Sequence, residues 1–96
     1  MTVPSLIQKL KLRDVEFPNR IVLSPMQMYA AQADGKMTDW HMVHYGKYAY
    51  AKFGTILTEV LCVAKRGRST YADAGIWSDR HIKKLQKIAS FIRSQG

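Results

Sequence analysis

Residues 20–30 read Arg-Ile-Val-Leu-Ser-Pro-Met-Gln-Met-Tyr-Ala. The apolar run Ile21-Val22-Leu23 stops at Ser24-Pro25, and two methionines, a glutamine and a tyrosine follow. The run has no polar alternation, which predicts a short strand buried on both faces. Proline has no amide hydrogen, so Pro25 suits a strand end and lets the chain turn away. The fold turns on where Met26, Gln27, Met28 and Tyr29 sit. In β/α architectures, ligands bind at the carboxyl ends of parallel strands.

Upstream, Leu10, Leu12, Val15 and Phe17 alternate around Arg13-Asp14, which predicts a small β-hairpin with one apolar face. Downstream, Asp34-Gly35 marks a turn. Thr38 or Asp39 is a candidate N-cap for a helix whose stripe is Met42, Val43, Gly46, Ala49, Tyr50 and Phe53. Gly54 is expected to stop that helix in a left-handed backbone. Thr55–Thr58 then forms a second strand, ending at Glu59-Val60. A longer loop spans Leu61–Trp77. Ser78 caps a second helix with Asp79 in its first turn, and Ile82, Leu85, Ile88, Ala89 and Ile92 form its apolar stripe. No internal repeat or low-complexity segment is evident. The order hairpin, strand, helix, strand, helix predicts parallel strands covered by helices.

A length of 96 residues allows one small domain, and 47% hydrophobic residues make it globular rather than disordered. No run is long and apolar enough to span a membrane. The opening MTVPSLIQKLKLRD lacks the apolar core and cleavage site of a secretory signal. Cys62 is the one cysteine, so no internal disulfide forms, and a cytoplasmic location is expected.

Two parallel strands alone make a ribbon with both edges open. Such ribbons occur inside larger sheets. The sequence therefore reads as the opening of a larger β/α structure.

Four segments carry a more specific signal. They are Phe17–Met26, Thr38–Gly46 (Thr-Asp-Trp-His-Met-Val-His-Tyr-Gly), Gly67-Arg68 and Gly75–Ile82 (Gly-Ile-Trp-Ser-Asp-Arg-His-Ile). In order and spacing the chain resembles the amino-terminal part of the old yellow enzyme family of FMN-dependent oxidoreductases. It is most similar to the bacterial ene-reductases and xenobiotic reductases. The resemblance implies a partial TIM (β/α)8 barrel: residues 1–96 supply the amino-terminal hairpin and the first two β/α units. It implies FMN at the barrel mouth, NAD(P)H as reductant, and an activated alkene or quinone-like substrate. It places Ser24, Pro25 and Met26 against the flavin, Gln27 at its edge, Tyr29 on the substrate side and Val60 near the ring. Gln27 stands where many members have Cys or Thr, and Val60 where many have Ala. A glutamine amide can still donate to a flavin carbonyl. The family's third-strand glutamine, substrate-binding pair, proton-donor tyrosine and phosphate-binding arginine have no counterpart in these 96 residues. The chain alone is therefore expected to be inactive, and to need the rest of the barrel or an oligomer for stability.

Competing readings are plainer. His41 and His44 sit three apart, but no third ligand stands nearby, so a hydrogen-bonding role is favoured over a metal. His81 reads as a surface or packing residue. Met37 and Met42 read as core, and Cys62 as a buried small hydrophobe. The net charge of +8 concentrates at Lys65-Arg66-Gly67-Arg68 and at Arg80, Lys83, Lys84 and Lys87. Both groups read as solvated faces. The alternatives are an anion contact at the first, such as a nicotinamide cofactor's phosphate, and a nucleic-acid footprint at the second. The runner-up function is thus a small basic α/β module for nucleic acid or anionic partners.

Overall fold

The computed structural model describes residues 3–96. The hairpin forms as expected. Strands β1 (Leu10–Leu12) and β2 (Val15–Phe17) pair antiparallel, with Leu10 opposite Phe17 and Leu12 opposite Val15. That register puts all four apolar residues on one face. Arg13 takes a left-handed φ of 54° in the two-residue turn.

The decisive pair is β3 (Val22–Leu23) with β4 (Thr55–Ile56), parallel, with Val22 opposite Thr55 and Leu23 opposite Ile56. The Leu57 N–H extends the ladder to the Leu23 carbonyl at 3.1 Å. Between them runs helix α1 (Asp39–Tyr50), and helix α2 (Ile82–Ser94) follows the second loop. A parallel bridge, Cys62 to Gly75, closes the base of that loop.

The core is small: Met37, Tyr45, Ala74 and Ile88, with Met42, Ile56, Leu85 and Ile92 packed against it. The radius of gyration is 15.1 Å, against about 12.5 Å for a compact domain of this length. The accessible surface is 6937 Å², against about 5,600 Å² for a folded monomer of this mass. Both numbers describe an elongated chain with more exposed surface than a compact domain of its size.

Several expectations change. Val22 is 52% exposed, so β3 is buried on one face only, through Leu23. The stripe of α1 is rotated: Val43 and Tyr50 are exposed, while His41, His44, Tyr45, Gly46 and Ala49 are buried. Ile82 likewise points to solvent. Gly54 does not take the left-handed role; Lys52 does, with φ 68°. Gly54 is needed for space instead, because a Cβ there would lie 2.6 Å from the Asn19 carbonyl oxygen. Its own N–H donates to Ile21 at 3.0 Å, where the two strands begin to pair. For His81, read as a surface or packing residue, burial favours packing.

A repeat is present after all. Thr38-Asp-Trp-His41 opens α1, and Ser78-Asp-Arg-His81 leads through a short 3-10 turn into α2. In each, the histidine reaches back to the cap: Thr38 N–H donates to His41 Nδ1 at 3.0 Å and Ser78 N–H to His81 Nδ1 at 3.3 Å. Histidine fills the place that Glu or Gln holds in the usual capping box.

Candidate functional site

The loop after β3 and the loop after β4 meet at the carboxyl ends of the paired strands. Two buried carboxylates hold them together. Glu59 follows β4. Its Oε2 accepts the Met28 N–H at 3.2 Å, and its own N–H donates to the Tyr45 hydroxyl at 2.9 Å. Its Oε1 lies 2.7 Å from His41 Nε2, with both side chains fully buried. That contact is short but off-axis, so neither atom gains an aligned hydrogen bond from it. It is a close electrostatic contact. Burial pushes the Tyr45 hydroxyl pKa up; the Glu59 N–H bond opposes the rise, and the Glu59 carboxylate adds to it.

Asp73 is the second carboxylate. Its oxygens accept from Thr70 Oγ1 at 2.7 Å, from the Ser69 and Thr70 N–H groups at 2.7 and 3.2 Å, and from Gln27 Nε2 at 3.2 Å. The Thr70 hydroxyl leads in holding its pKa below the usual carboxylate range; burial opposes it, and the Ser69 amide adds to the lowering. Gln27 Oε1 in turn accepts the Val60 N–H at 3.3 Å. Gln27 is therefore a clamp between the two loops. One N–H of its amide is committed to Asp73, which leaves one for any ligand.

The result is a cleft of about 240 Å³ lined by Gln27, Tyr29, Val60, Ser69 and Asp73. Three of the sequence-predicted site residues meet here: Gln27, Tyr29 and Val60. Ser24, Pro25 and Met26 are exposed along the approach from β3 and do not line this cleft. Tyr29 is 58% exposed and holds a left-handed φ of 53°. Such a backbone is uncommon for a bulky residue and costs on the order of 1–3 kcal/mol. Val60 is 64% exposed. The Met26 and Gln27 N–H groups donate to no described residue. Exposed apolar side chains beside free amide donors fit a flat heteroaromatic ring with carbonyl edges.

Sequence reasoning missed Glu59 and Asp73. The available signals were a carboxylate immediately after an apolar strand, and Ser69-Thr70 placed to bond Asp73 locally. His41 has the hydrogen-bonding role expected of it, and Cys62 is buried as expected. Among the described residues no group of three or more His, Cys, Asp or Glu is placed to hold a metal. Among the described residues no helix is long and apolar enough to cross a membrane. On α2, Lys84 pairs with Asp39, and the remaining cations form a charged surface.

Comparison with known proteins agrees with this geometry. The profile of the NADH:flavin oxidoreductase / NADH oxidase family matches residues 5–96. The chain is 46% identical over 83 residues to an NADPH dehydrogenase of Bacillus cytotoxicus, covering 85% of this chain and 24% of that protein. It is 41% identical over 92 residues to an NADPH dehydrogenase of Bacillus subtilis, covering 95% and 27%. The chain thus spans about a quarter of the length of the curated relatives it matches. Among solved structures, it superposes on the Old Yellow Enzyme from Pichia sp. AKU4542 with a TM-score of 0.87 at 24% identity, covering 96% of this chain and 24% of that one. It superposes on the old yellow enzyme homologue from Zymomonas mobilis with a TM-score of 0.84 at 25% identity, covering 97% and 26%. The family takes the place of the basic-module reading: this chain belongs to the NADH:flavin oxidoreductase / NADH oxidase family of FMN-dependent oxidoreductases.

Proposed function

We propose that this chain forms one wall of the FMN site in a NAD(P)H-dependent reductase of activated alkenes. The observation that carries this reading is the cleft at the ends of β3 and β4, where Gln27, Tyr29 and Val60 converge in a member of the family. FMN, when bound, supplies the chemistry by accepting hydride from NAD(P)H and passing it to the alkene. The chain's residues bind and orient it. Pro25, Met26 and Val60 offer apolar surface that excludes water. The Met26 and Gln27 amides are donors for carbonyl oxygens of the ring. Tyr29 stands at the exposed rim, on the side a substrate would approach. Glu59 and Asp73 act through the loops: they fix Met28 and Gln27, and so the positions of these groups.

The open flanks imply that more of the barrel, or a second copy, covers them. The chain alone lacks the proton donor and the substrate-binding pair, so it carries no turnover by itself. The test is reconstitution. The chain is mixed with the complementary three quarters of the Bacillus subtilis relative, and FMN is added. The expected result is flavin that co-elutes with the complex, and NADPH oxidation dependent on an α,β-unsaturated ketone. Neither appears with the chain alone. A complex that forms but holds no flavin overturns the proposal.

A further inference from the structure

We propose that the concavity after β4 lined by Lys65, Arg66, Arg68, Ser69, Thr70 and Tyr71 binds the phosphorylated adenosine end of the nicotinamide dinucleotide. The inference rests on the flavoenzyme reading above and names where the reductant is gripped.

From sequence alone, the basic run reads as a solvated face. The structure adds four observations. First, the three cations share one concavity of about 490 Å³ with two hydroxyl-bearing residues and an aromatic. Second, Arg68 is pre-organised rather than free. It donates to the Ala33 carbonyl at 2.8 Å and the Lys65 carbonyl at 3.1 Å, with its guanidinium 5.1 Å from the Tyr71 ring and 5.6 Å from the Trp77 ring. Two bonds leave part of its five-donor fork available. Third, Lys65 and Arg66 have no acidic partner among the described residues. Asp73, the carboxylate in the same loop, is occupied by Ser69, Thr70 and Gln27. The three cations therefore line the concavity with no carboxylate among its lining residues. Fourth, Gly67 has no steric reason of its own, because a Cβ there would meet nothing within 4 Å. Its bare backbone leaves room for close approach by a ligand.

Location sets the ligand class. Ser69 lines both this concavity and the cleft with Gln27, Tyr29 and Val60. A molecule gripped here reaches toward the flavin-facing cleft. Tyr71, 80% exposed, is a stacking surface for a purine beside the cations. Clustered Lys and Arg with adjacent hydroxyls suit a phosphate monoester. An adenosine carrying an extra phosphate meets all three requirements.

The 96-residue chain is titrated with 2′-phospho-ADP-ribose, ADP-ribose and inorganic phosphate by calorimetry, with the Ser69 and Thr70 amide signals followed by NMR. The phosphorylated nucleotide is expected to bind saturably, at least tenfold more tightly than either other probe, with shifts at both amides. The K65Q/R66Q double variant is expected to weaken it at least tenfold, with an unchanged circular dichroism spectrum. Tyr71→Ala should weaken both nucleotides but not inorganic phosphate. No saturable binding, binding unaffected by K65Q/R66Q, or inorganic phosphate bound as tightly as the nucleotide overturns the proposal. Riboflavin, which has no phosphate, separates the two readings. If the reconstituted complex fails to bind it while 2′-phospho-ADP-ribose binds, the flavin wall is refuted and this site stands. The reverse pattern refutes this site alone.

Discussion

His41 Nε2 and Glu59 Oε1 lie 2.7 Å apart with no exposed side-chain surface on either residue. The pair joins the start of α1 to the end of β4. Because Thr38 N–H donates to His41 Nδ1, the ring's proton is assigned to Nε2, facing the carboxylate. Removing the carboxylate leaves the neutral imidazole N–H unpaired in a dry interior, which costs about 1–3 kcal/mol. Glu59→Ala is expected to lower the urea-unfolding free energy of the chain by about that amount. The double variant with His41→Ala should cost less than the sum of the singles. Additive losses in the cycle would show that the two groups are not coupled.

Tyr45 holds the same assembly from the helix side. Its hydroxyl accepts the Glu59 N–H at 2.9 Å in a buried setting. Tyr45→Phe keeps the ring's packing in the core and deletes only that acceptor. The orphaned amide should cost about 1–3 kcal/mol. Amide exchange at Glu59 should speed up more than exchange at Ile56, a neighbour in β4. Equal acceleration at both would mean that the hydroxyl has no local role.

What the sequence disclosed follows the range of the interactions. Thr38 and Ser78 were legible because a cap is local chemistry over four residues. The parallel strands were legible from Ile21–Leu23 and Thr55–Thr58 around one helix. The buried face of α1 was not, because His41 and Tyr45 are buried through Glu59, distant in sequence. Counting apolar residues ranks Val43 above His41 and so rotates the stripe. Val22 was misread for another reason: an unalternated apolar run does not say what covers each face, and here only the Leu23 face is covered. The Thr/Ser-Asp-X-His repeat was in plain view, but histidine does not announce itself as a capping residue.

The glycines give a ranked prediction. At Gly54 a Cβ would meet the Asn19 carbonyl oxygen at 2.6 Å, and backbone cannot swing aside. At Gly46 a Cβ would meet the Phe91 ring at 2.9 Å, and Phe91 is an exposed side chain that can rotate. Alanine also gains about 0.5–1 kcal/mol over glycine inside a helix. Gly54→Ala should therefore destabilise the chain by at least about 2 kcal/mol more than Gly46→Ala, as strain at a crowded backbone site. Thermal melts of the two variants side by side check this, and equal losses would refute it.

Acid sensitivity should pass through His44. Burial comes first in lowering its pKa from the ordinary value of 6.5, with Lys47 acting in the same direction and Glu59 opposing. Its ring packs edge-on against Tyr45 and Tyr48, with centroids 5.1 and 5.3 Å away. A depressed histidine pKa means the unfolded chain binds the proton more readily. Above pH 6.5 the group is neutral in both states and costs nothing. As pH falls below 6.5 toward the lowered folded value, stability declines. His44→Phe keeps the aromatic packing and removes the titration. Between pH 7 and pH 5 it should lose less stability than the parent chain, and parallel pH profiles would refute the assignment.

Tyr29 sets stability against function. Its φ of 53° is a backbone that tyrosine disfavours and glycine takes freely. Its side chain is 58% exposed, so little packing is lost on removal. Tyr29→Gly should therefore leave unfolding stability within about 1 kcal/mol of the parent, since relief of strain offsets the entropy that glycine adds to the unfolded state. Under the proposed function, the same change removes a substrate-side wall of the flavin cleft. In the reconstituted complex, KM for the unsaturated ketone should rise about tenfold, the effect of roughly 1.4 kcal/mol of lost contact. Flavin content should stay unchanged. A variant that loses flavin and substrate affinity together would place Tyr29 on the cofactor rather than beside the substrate.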